Sequence, residues 1–253
     1  MTKRLENKTI IVTGSSRGIG KACAIQCAGN GANVAVHGRS VTDAFNNTIT
    51  EIEALGVKVI GVTGDVSCKA DAERIVKEVV EKFGKIDGLV NNAGICPFAN
   101  FTETTEEEWD KTMNINAKGP FLMTQAVAKT MISSKIAGRI CNVTSISGVK
   151  ATSPMQVAYC SSKGAANMLT KITALALAEH KITVNAILPG TIETDINRDV
   201  LADEKITKGI IDATPLKCLG DTDDVAHATV YFMSDESKWV TGTLMAIDGG
   251  FIV

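Results

Sequence analysis

The chain has 253 residues, of which 45% are hydrophobic and 21% are charged, and its net charge is -2. A single α/β domain routinely reaches this length, and a nearly neutral chain lacks the strongly basic character of proteins that bind nucleic acid. No apolar run reaches the roughly 18 residues of a membrane span, and residues 1–8 lack the apolar core of a signal peptide. We therefore expect one domain over residues 1–253, located in the cytoplasm, with neither nucleic acid nor membrane as a partner.

Seven cysteines are scattered through apolar stretches, without the paired spacing of a metal site. Cys23 and Cys27 stand four positions apart on a predicted helix and could in principle share a metal, but no further ligand lies near them in sequence. Ordinary buried thiols are the other interpretation. The pattern favours reduced cysteines and no bound metal.

Short apolar runs rich in β-branched residues alternate with longer segments in which apolar residues recur every three or four positions. That alternation is typical of parallel strands joined by crossover helices, and nearly continuous apolar strands imply a sheet covered on both faces. The sequence therefore predicts an α/β fold, a single-domain Rossmann-like doubly wound parallel sheet of seven strands flanked by helices. The predicted strands are residues 9–13, 33–37, 58–63, 88–91, 139–144, 182–188 and 244–247.

Residues 191–214 interrupt this alternation with mixed polar residues after the sixth predicted strand. In an open α/β sheet, ligands bind outside the carboxyl ends of the strands. An insertion at that edge is therefore a candidate lid over the substrate.

A glycine-rich turn at residues 14–20 follows the first predicted strand and opens a helix. Glycines at such a turn let the backbone approach a pyrophosphate closely, and the helix N-terminus favours its negative charge. A tight strand-to-helix turn without a ligand is the other interpretation. The turn predicts phosphate contacts from Gly14, Ser16, Arg17 and Ile19.

The end of the second predicted strand indicates which dinucleotide is bound, because a carboxylate there binds a ribose 2′-hydroxyl and a cation binds a 2′-phosphate. It reads His37-Gly38-Arg39-Ser40, without a carboxylate, and Arg39 and Arg17 could together hold a phosphate. We therefore predict NADP as the cofactor, with NAD as a second option. Both arginines could instead be solvated surface residues, and we expect a packing role for His37.

Three short motifs follow one another along the chain. Residues 91–94 read Asn-Asn-Ala-Gly, residues 159–163 read Tyr-Cys-Ser-Ser-Lys, and Pro189-Gly190 follows the sixth predicted strand. Together with the glycine-rich turn and an intervening serine, their order and spacing resemble the short-chain dehydrogenase/reductase family over essentially the whole chain. The resemblance implies an NAD(P)-dependent enzyme that moves a hydride between a hydroxyl and a carbonyl. It also implies that Tyr159 exchanges the substrate proton, while Lys163 lowers the pKa of Tyr159 and holds the nicotinamide ribose.

The spacing of Tyr159 and Lys163 fits that chemistry. Residues i and i+4 share a helix face, and an ammonium beside a phenol stabilises the phenolate. A half-buried aromatic residue and a solvated helix charge are the alternative interpretation. The chain has only two tyrosines, and one of them stands in this motif, which favours the functional interpretation.

Ser145, directly before Ile-Ser-Gly, matches the family serine that orients the substrate oxygen. Tyr159 follows it by 14 positions, one more than is common in the family. We interpret the difference as one extra residue in the loop 149–156, which leaves both ends in place. Ser147 remains a second candidate for the same role.

Residues 109–119 resemble the helix whose asparagine anchors a water in the family's proton relay. Asn116, directly before Ala-Lys-Gly, matches that asparagine better than Asn114 does. Asparagine is mildly unfavourable inside a helix, so a role at the site explains its presence better than helix propensity does. Capping after a kink is the alternative.

The same resemblance implies the remaining cofactor contacts. Asp65 would accept a hydrogen bond from the adenine amino group, although a loop or N-cap carboxylate is the alternative. Asn92 and Gly94 would line the adenosine side, while Ile192 would meet the carboxamide and Thr194 a phosphate. The complete predicted set of cofactor-binding residues is Gly14, Ser16, Arg17, Ile19, Arg39, Ser40, Asp65, Val66, Asn92, Gly94, Tyr159, Lys163, Pro189, Gly190, Ile192 and Thr194.

The family leaves the substrate open, because variable loops set it. Residues 91–98, 189–197 and 247–251 look like those of bacterial sugar 1-dehydrogenases of the L-rhamnose type, which oxidise an aldose to its lactone. Polar residues such as Glu193 and Asn197 suit a polyhydroxylated substrate, or else form the solvated face of a short helix. We therefore expect an aldose 1-dehydrogenase acting on a small-molecule substrate.

Two other functions remain open. 3-Oxoacyl-acyl-carrier-protein reductases share nearly the same motifs, but they usually carry a basic residue where this chain has Leu175; Lys135, Arg139 or Lys171 could serve instead. A cofactor-sensing regulator that has lost catalysis is the third option. The presence of all three catalytic side chains argues against it.

The family often forms tetramers by pairing the helix that carries the catalytic tyrosine with its copy. The apolar residues of that helix are compatible with such pairing and equally with packing against the sheet. We predict a homotetramer. The residues concerned are Met168, Leu169, Ile172, Leu175 and Leu177.

Overall fold

A computed structural model describes residues 3–253 of the chain, except for the side chain of Asp199. Seven strands form one parallel sheet in the order β3-β2-β1-β4-β5-β6-β7. This sheet confirms the predicted Rossmann-like doubly wound fold. The strands are β1 Thr9–Val12, β2 Asn33–Gly38, β3 Val59–Thr63, β4 Gly88–Asn91, β5 Arg139–Val143, β6 Thr183–Pro189 and β7 Leu244–Ile247.

The predicted strands agree with the observed strands to within one residue at each end. Thr13 and Thr144 lie just beyond β1 and β5, although each still donates its backbone N–H to a carbonyl of a neighbouring strand. β6 extends instead to Pro189, which pairs with Ile247 of β7. The differences arise because a strand ends where its neighbour stops pairing, and the chain's own hydrophobic pattern does not contain that information.

Helices connect the consecutive strands. They are α1 Gly18–Gly29, α2 Asp43–Glu53, α3 Lys69–Phe83, α4 Glu106–Met113, α5 Gly119–Ser133, α6 Val157–Leu177, α7 Arg198–Leu201, α8 Glu204–Ala213 and α9 Thr222–Met233. Local sequence explains several ends: Thr105 and Glu108 form a capping box before α4, and α3 ends at Gly84, whose φ of 78° favours glycine. Between α4 and α5 the segment Asn114–Lys118 forms a π-helical turn.

Each face of the sheet carries its own hydrophobic core, because successive strand side chains point to opposite faces. Ile10 and Val12 of β1 pack with α1 and α9, whereas Ile11 packs with α3 and α5. Burying one such side chain contributes about 1.5–3 kcal/mol, so the helices are held against both faces. The chain changes direction across the sheet between β1 and β4, which leaves a crevice at the carboxyl ends of these strands.

Residues 191–214, the predicted lid, contain the short helix α7 and the longer α8. No residue of α8 is buried, so this helix lies on the surface rather than in either core. In the described range 3–253, no helix has both the length and the apolar character that crossing a bilayer requires.

Three of the cysteines belong to the core. Cys23, Cys27 and Cys141 are fully buried, the Cys23 sulfur lies 3.3 Å from the hydroxyl of Thr229, and burial raises the pKa of Cys23 to about 12. These contacts favour the packing interpretation of Cys23 and Cys27. Within residues 3–253 no cluster of three or more His, Cys, Asp or Glu side chains is arranged to hold a metal.

Candidate active site

The predicted site residues converge at the carboxyl edge of the sheet. The glycine-rich turn follows β1, Asn92 and Gly94 follow β4, Ser145 follows β5, and Gly190 follows β6. Parallel strands bring these segments together because all their carboxyl ends lie on one side. Residues far apart in sequence thus form one crevice.

The glycine-rich turn approaches the loop after β4 so closely that side chains are excluded. Gly14 has a φ of 63°, and a Cβ on it would lie 2.9 Å from the Cα of Ala93. A Cβ on Gly20 would lie 2.3 Å from the carbonyl oxygen of Gly14. The turn therefore needs glycine for its conformation and its packing. Ser16 and Ile19 are half-buried within it, and Arg17 is exposed.

Asn92 holds the two loops together. Its side-chain amide donates to the carbonyl oxygens of Thr13 and Gly14, each at 3.0 Å, while its backbone N–H donates to the Thr13 hydroxyl at 2.9 Å. The predicted role of Asn92 was to line the adenosine side of a cofactor. That role stays a prediction, and the structure shows that the side-chain N–H groups of Asn92 bind the glycine-rich turn.

His37 makes a connection that sequence reasoning described only as packing. It is buried at the end of β2, where Nδ1 accepts from the backbone N–H of Gly14 at 3.1 Å and Nε2 lies 3.1 Å from the carbonyl oxygen of Gly64. Because Nδ1 is an acceptor, the proton resides on Nε2 and is donated to Gly64. Burial lowers the pKa of His37, which keeps the ring neutral.

Arg39 and Asp65 line a cleft of about 660 Å³ whose other side is formed by α4, with its acidic residues, and by the π-helical turn. Arg39 and the adjacent Ser40 are exposed, so their side chains are free to meet a ligand. Oδ1 of Asp65 accepts from the Ser67 hydroxyl at 2.6 Å and from the Ser67 N–H at 2.9 Å, and these bonds lower the pKa of Asp65. For Oδ1 of Asp65, the alternative interpretation as a loop carboxylate therefore holds. The neighbouring Val66 is buried.

The predicted lid reaches the glycine-rich turn through Asp195. Its carboxylate lies 4.0 Å from a guanidinium nitrogen of Arg17 and also contacts Arg198. Thr194 is nearby, since a Cβ on Gly18 would lie 3.7 Å from its methyl group. The lid thus contacts the turn that we predict to bind phosphate.

Tyr159 and Lys163 lie one turn apart near the start of α6, as their spacing predicts. The Lys163 ammonium lies 5.6 Å from the centre of the Tyr159 ring and donates to the carbonyl oxygen of Val143 at 3.1 Å. Burial lowers the pKa of Lys163 to about 8. Burial also raises the pKa of Tyr159, and a hydrogen bond with Ser145 opposes that rise. Desolvation thus favours the neutral form of both groups.

Asn116 lies in the π-helical turn and is almost completely buried. Its carbonyl oxygen accepts from the Ile95 N–H at 2.9 Å, and its amide donates to the Ile95 carbonyl at 2.8 Å and to the Ser162 hydroxyl at 3.0 Å. Asn116 therefore ties the loop after β4 to α6 directly behind the tyrosine. A Cβ on Gly94 would lie 3.2 Å from Asn116 and 3.7 Å from the Lys163 ammonium, so this loop runs past both side chains.

The two candidate serines have different partners. Ser145 is buried beside Tyr159, and its hydroxyl accepts from the Ser147 N–H at 3.0 Å. The Ser147 hydroxyl lies 2.8 Å from the hydroxyl of Thr152 in the loop 149–156. Ser145 thus faces the tyrosine while Ser147 faces the loop.

Residues 189–194 run along the other side of the crevice. Gly190 donates its N–H to Ile247 at 2.9 Å, and a Cβ on Gly190 would lie 2.8 Å from the Cα of Asp248. Pro189 is buried at the end of β6. Ile192 is also buried, and its side chain packs in the core, so any contact between Ile192 and a ligand falls to its backbone.

Sequence reasoning missed a polar chain along the mouth of the site. Thr152 donates to Oε1 of Gln156 at 3.2 Å, and Nε2 of Gln156 donates to the Cys96 sulfur at 3.1 Å. The charge of Cys96 would affect the pKa of both Tyr159 and Lys163, which locates this thiol beside them. The only sequence signal was the extra residue in the loop 149–156.

Known proteins resemble this chain over nearly its whole length. The family model described as Enoyl-(Acyl carrier protein) reductase matches residues 14–252. An L-rhamnose 1-dehydrogenase (NAD(P)(+)) from Sphingomonas sp. strain SKA58 is 41% identical over 251 residues, covering 99% of this chain and 98% of that protein. A 3-oxoacyl-acyl-carrier-protein reductase from Staphylococcus epidermidis is 37% identical and covers 96% of this chain and 98% of its own.

A solved structure has the same fold. A candidate 2-deoxy-D-gluconate 3-dehydrogenase from Agrobacterium tumefaciens, determined with bound NADP, superposes with a TM-score of 0.91 at 31% identity, covering 99% of this chain and 98% of its own. The full-length sequence similarity and the shared sheet agree with the motifs at the carboxyl edge. The chain is a member of the short-chain dehydrogenase/reductase family.

Proposed function

We propose that this protein is an NADP-dependent aldose 1-dehydrogenase that also accepts NAD and oxidises a sugar of the L-rhamnose type to its lactone. The proposal rests on four side chains that lie together at the carboxyl edge of the sheet, namely Tyr159, Lys163, Ser145 and Asn116. The identity of 41% with an L-rhamnose 1-dehydrogenase supports the choice of substrate.

In this proposal Ser145 and Tyr159 act on the reacting hydroxyl. The Ser145 hydroxyl would orient the anomeric hydroxyl of the sugar, and Tyr159 would remove the proton of that hydroxyl. NADP, when bound, would supply the acceptor for the hydride of the anomeric carbon. The interaction between Ser145 and Tyr159 supports this pairing. A proton relay through a positioned side chain accelerates such reactions by about 10²–10⁴-fold.

Lys163 and Asn116 would support the tyrosine. The Lys163 ammonium, 5.6 Å from the centre of the Tyr159 ring, would stabilise the phenolate electrostatically. Asn116 maintains the distance between the loop after β4 and α6 through its three hydrogen bonds, and its π-helical turn would hold the relay water.

The cofactor fits the crevice. At Gly14 and Gly20 the glycine-rich turn packs so closely that a Cβ would clash with neighbouring backbone, which fixes the shape of the turn, and Arg39 and Asp65, just after β2 and β3, line a cleft of about 660 Å³. The N-terminus of α1 would receive the pyrophosphate, and Arg39 with Arg17 would receive the 2′-phosphate. Residues 189–194 would accompany the nicotinamide, and residues 191–214 would act as the substrate lid.

A substrate panel tests this function. The purified protein is mixed with NADP or NAD and with L-rhamnose, other aldoses or keto acids, and nicotinamide absorbance is followed. We expect L-rhamnose oxidation with a preference for NADP, and a loss of at least about 10²-fold in kcat for Tyr159→Phe with unchanged cofactor binding. Cofactor binding without turnover of any of these compounds would contradict the proposal and favour a sensor.

A 3-oxoacyl-acyl-carrier-protein reductase is the second candidate. Identity of 37% with such an enzyme favours it. Leu175 is 75% exposed where those enzymes usually carry a basic residue for their acidic carrier, which argues against it. Adding acetoacetyl thioesters to the panel separates the two functions, because only the reductase consumes NADPH with them.

We also propose a homotetramer that works in the cytoplasm. Met168, Ile172 and Leu175 are exposed on one side of α6, whereas Leu177 packs against a core, so pairing with a second copy accounts for this apolar face better than packing against the sheet does. All seven cysteines are free, which suits a reducing compartment. Light scattering at micromolar concentration should give the mass of four chains, and a monomer would contradict the assembly.

A further inference from the structure

The side chain of Gln156, near the tyrosine, has an unusual hydrogen-bond partner. It immediately precedes α6, three residues before Tyr159, and its side-chain N–H donates to the sulfur of Cys96 at 3.1 Å. A thiol is a weak acceptor, so this contact holds the amide less firmly than an oxygen would. The side chain of Gln156 is therefore oriented but easily recruited by another acceptor.

The rest of the Gln156 amide supports the same conclusion. The Oε1 atom of Gln156 accepts from Thr152 at 3.2 Å, which is near the long limit of a hydrogen bond. Gln156 is also only half-buried. An amide has two N–H donors and a carbonyl with two lone pairs. Gln156 can therefore both donate to and accept from an incoming hydroxyl without leaving its place.

Cys96 is suited to hold Gln156 and poorly suited to react. Burial raises the pKa of its thiol to about 11, so near neutral pH it is a protonated group rather than a nucleophile. It stands two residues after Gly94, where a Cβ would lie 3.7 Å from the Lys163 ammonium. The Gln156 amide that it anchors is thus close to the point where the reacting hydroxyl must lie.

A continuous chain of polar groups connects Gln156 to the predicted substrate serine. Ser145 accepts from the Ser147 N–H, the Ser147 hydroxyl contacts that of Thr152, and Thr152 donates to Gln156. The loop 149–156 that carries this chain is the one with the extra residue. The loop therefore brings an amide to the same edge of the site as the substrate serine.

We propose that Gln156 is a specificity-determining residue that binds the substrate hydroxyl on the carbon next to the reacting carbon, and that Cys96 keeps it available by accepting weakly. This inference rests on the proposed sugar oxidation. A vicinal hydroxyl can donate to Oε1 or accept from Nε2, whereas a substrate with hydrogen or a methylene in that position can do neither. The site would thereby select polyols over substrates that carry a single oxygen at the reacting end.

Two substitutions of Cys96, by serine and by alanine, distinguish this role from a structural one. In Cys96→Ser the hydroxyl is a stronger acceptor and competes with the substrate for Gln156, whereas Cys96→Ala releases the amide. We expect KM for L-rhamnose to be about 5-fold higher in the serine variant than in the alanine variant, with similar kcat, because one neutral hydrogen bond is at stake. If Cys96 merely filled space, the smaller alanine would bind the sugar no better than serine, and that order would overturn the proposal.

Gln156→Leu tests the amide itself, with L-rhamnose and 2-deoxy-L-rhamnose as probes. We expect a loss of about 10-fold in kcat/KM for L-rhamnose and little change for the deoxy sugar, so that discrimination between the two nearly disappears. Equal losses for both sugars would overturn the role of Gln156 even while sugar oxidation stands. If wild-type protein oxidises neither sugar, the proposed function itself fails and this inference fails with it.

Discussion

The backbone N–H of Gly14 donates to Nδ1 of His37 at 3.1 Å, so a buried imidazole ring stabilises the conformation of the glycine-rich turn. The opposite nitrogen of the ring donates to Gly64. Only the neutral tautomer with its proton on Nε2 can make both bonds, because protonation of Nδ1 would place two donors against each other. The geometry of the turn therefore depends on the charge of His37.

The first prediction concerns acid sensitivity. Because the native pKa of His37 lies below the ordinary value of 6.5, the unfolded chain binds a proton that the native chain does not, and stability falls as pH decreases below about 6.5. His37→Phe should remove that part of the pH dependence while costing about 1–3 kcal/mol at neutral pH, since Gly14 loses its acceptor. Thermal unfolding between pH 5 and about 8 measures both effects.

The exposed His227 is the control for His37. His227→Phe should leave the stability at neutral pH unchanged, because an exposed ring lacks these two bonds. A His37→Phe protein with the same acid sensitivity as wild type would contradict the assignment of the titrating group.

The second prediction concerns the buried ammonium of Lys163. Its native pKa of about 8 lies below the ordinary 10.5, so burying the charged form destabilises the fold by about 3 kcal/mol below pH 8. That cost disappears as pH rises from about 8 to 10.5, since the unfolded chain alone keeps its proton there. Lys163→Met should therefore be inactive yet more stable than wild type at pH 7.

Denaturant unfolding at pH 7 and near pH 10 checks this prediction. The advantage of Lys163→Met over wild type should shrink toward zero at the higher pH, because both proteins then bury a neutral side chain. A constant advantage at all pH values would show that packing, rather than charge, separates the two proteins.

The third prediction concerns the choice of cofactor. Arg39 is exposed at the cleft, and no carboxylate stands at the end of β2 to bind a ribose 2′-hydroxyl. Arg39→Ala should lower kcat/KM with NADP by about 10–100-fold, because charge-assisted hydrogen bonds to the 2′-phosphate are lost, and should change that with NAD by less than about 3-fold. Initial rates with both cofactors measure the ratio. Lys82→Ala, another exposed cation far from the cleft, should leave the ratio unchanged.

The fourth prediction compares two glycines where α6 meets the turn that carries Ser145. A Cβ on Gly148 would lie 2.5 Å from the Asn167 amide and 2.7 Å from the carbonyl oxygen of Lys163, so Gly148→Ala must displace the serine turn from α6. We expect a loss of about 1–3 kcal/mol in stability and at least about 10-fold in kcat.

Gly164→Ala is the matched control. The nearest atom to its Cβ would be the Gly148 carbonyl at an ordinary 3.5 Å, and alanine in a helix is favoured over glycine by about 1 kcal/mol. We expect this variant to be active and slightly more stable. Equal damage from the two substitutions would contradict the close contact assigned to Gly148.

Much of the fold follows from local pattern. The sequence predicts β4 and β7 to the residue, because each is a short, mostly apolar run followed at once by a glycine-containing turn. Elsewhere the ends differ by one residue, as at Thr13 and Pro189, since they depend on neighbouring strands. The segment 191–214 is recognised from its mixed polar residues as an interruption and a candidate lid, whereas the bounds of its helices α7 and α8 come only from the structure.

The candidate site divides in the same way. Tyr159 and Lys163 follow from spacing on one helix, and the turn at residues 14–20 follows from its glycines. Two other features of the site do not follow from the sequence, because both depend on segments distant in sequence. They are the hydrogen bonds of Asn92 to the glycine-rich turn and the burial of the Ile192 side chain.

The sequence by itself determined the sheet, the glycine-rich turn and the tyrosine with its lysine, because each depends on residues within a few positions of one another. Only the tertiary structure decided that His37 supports Gly14, that Gln156 donates to Cys96, and that one side of α6 is exposed. These relationships join segments tens of residues apart. Side-chain hydrogen bonds over such separations leave no periodicity in the chain, so their partners become known only when the sheet brings them together.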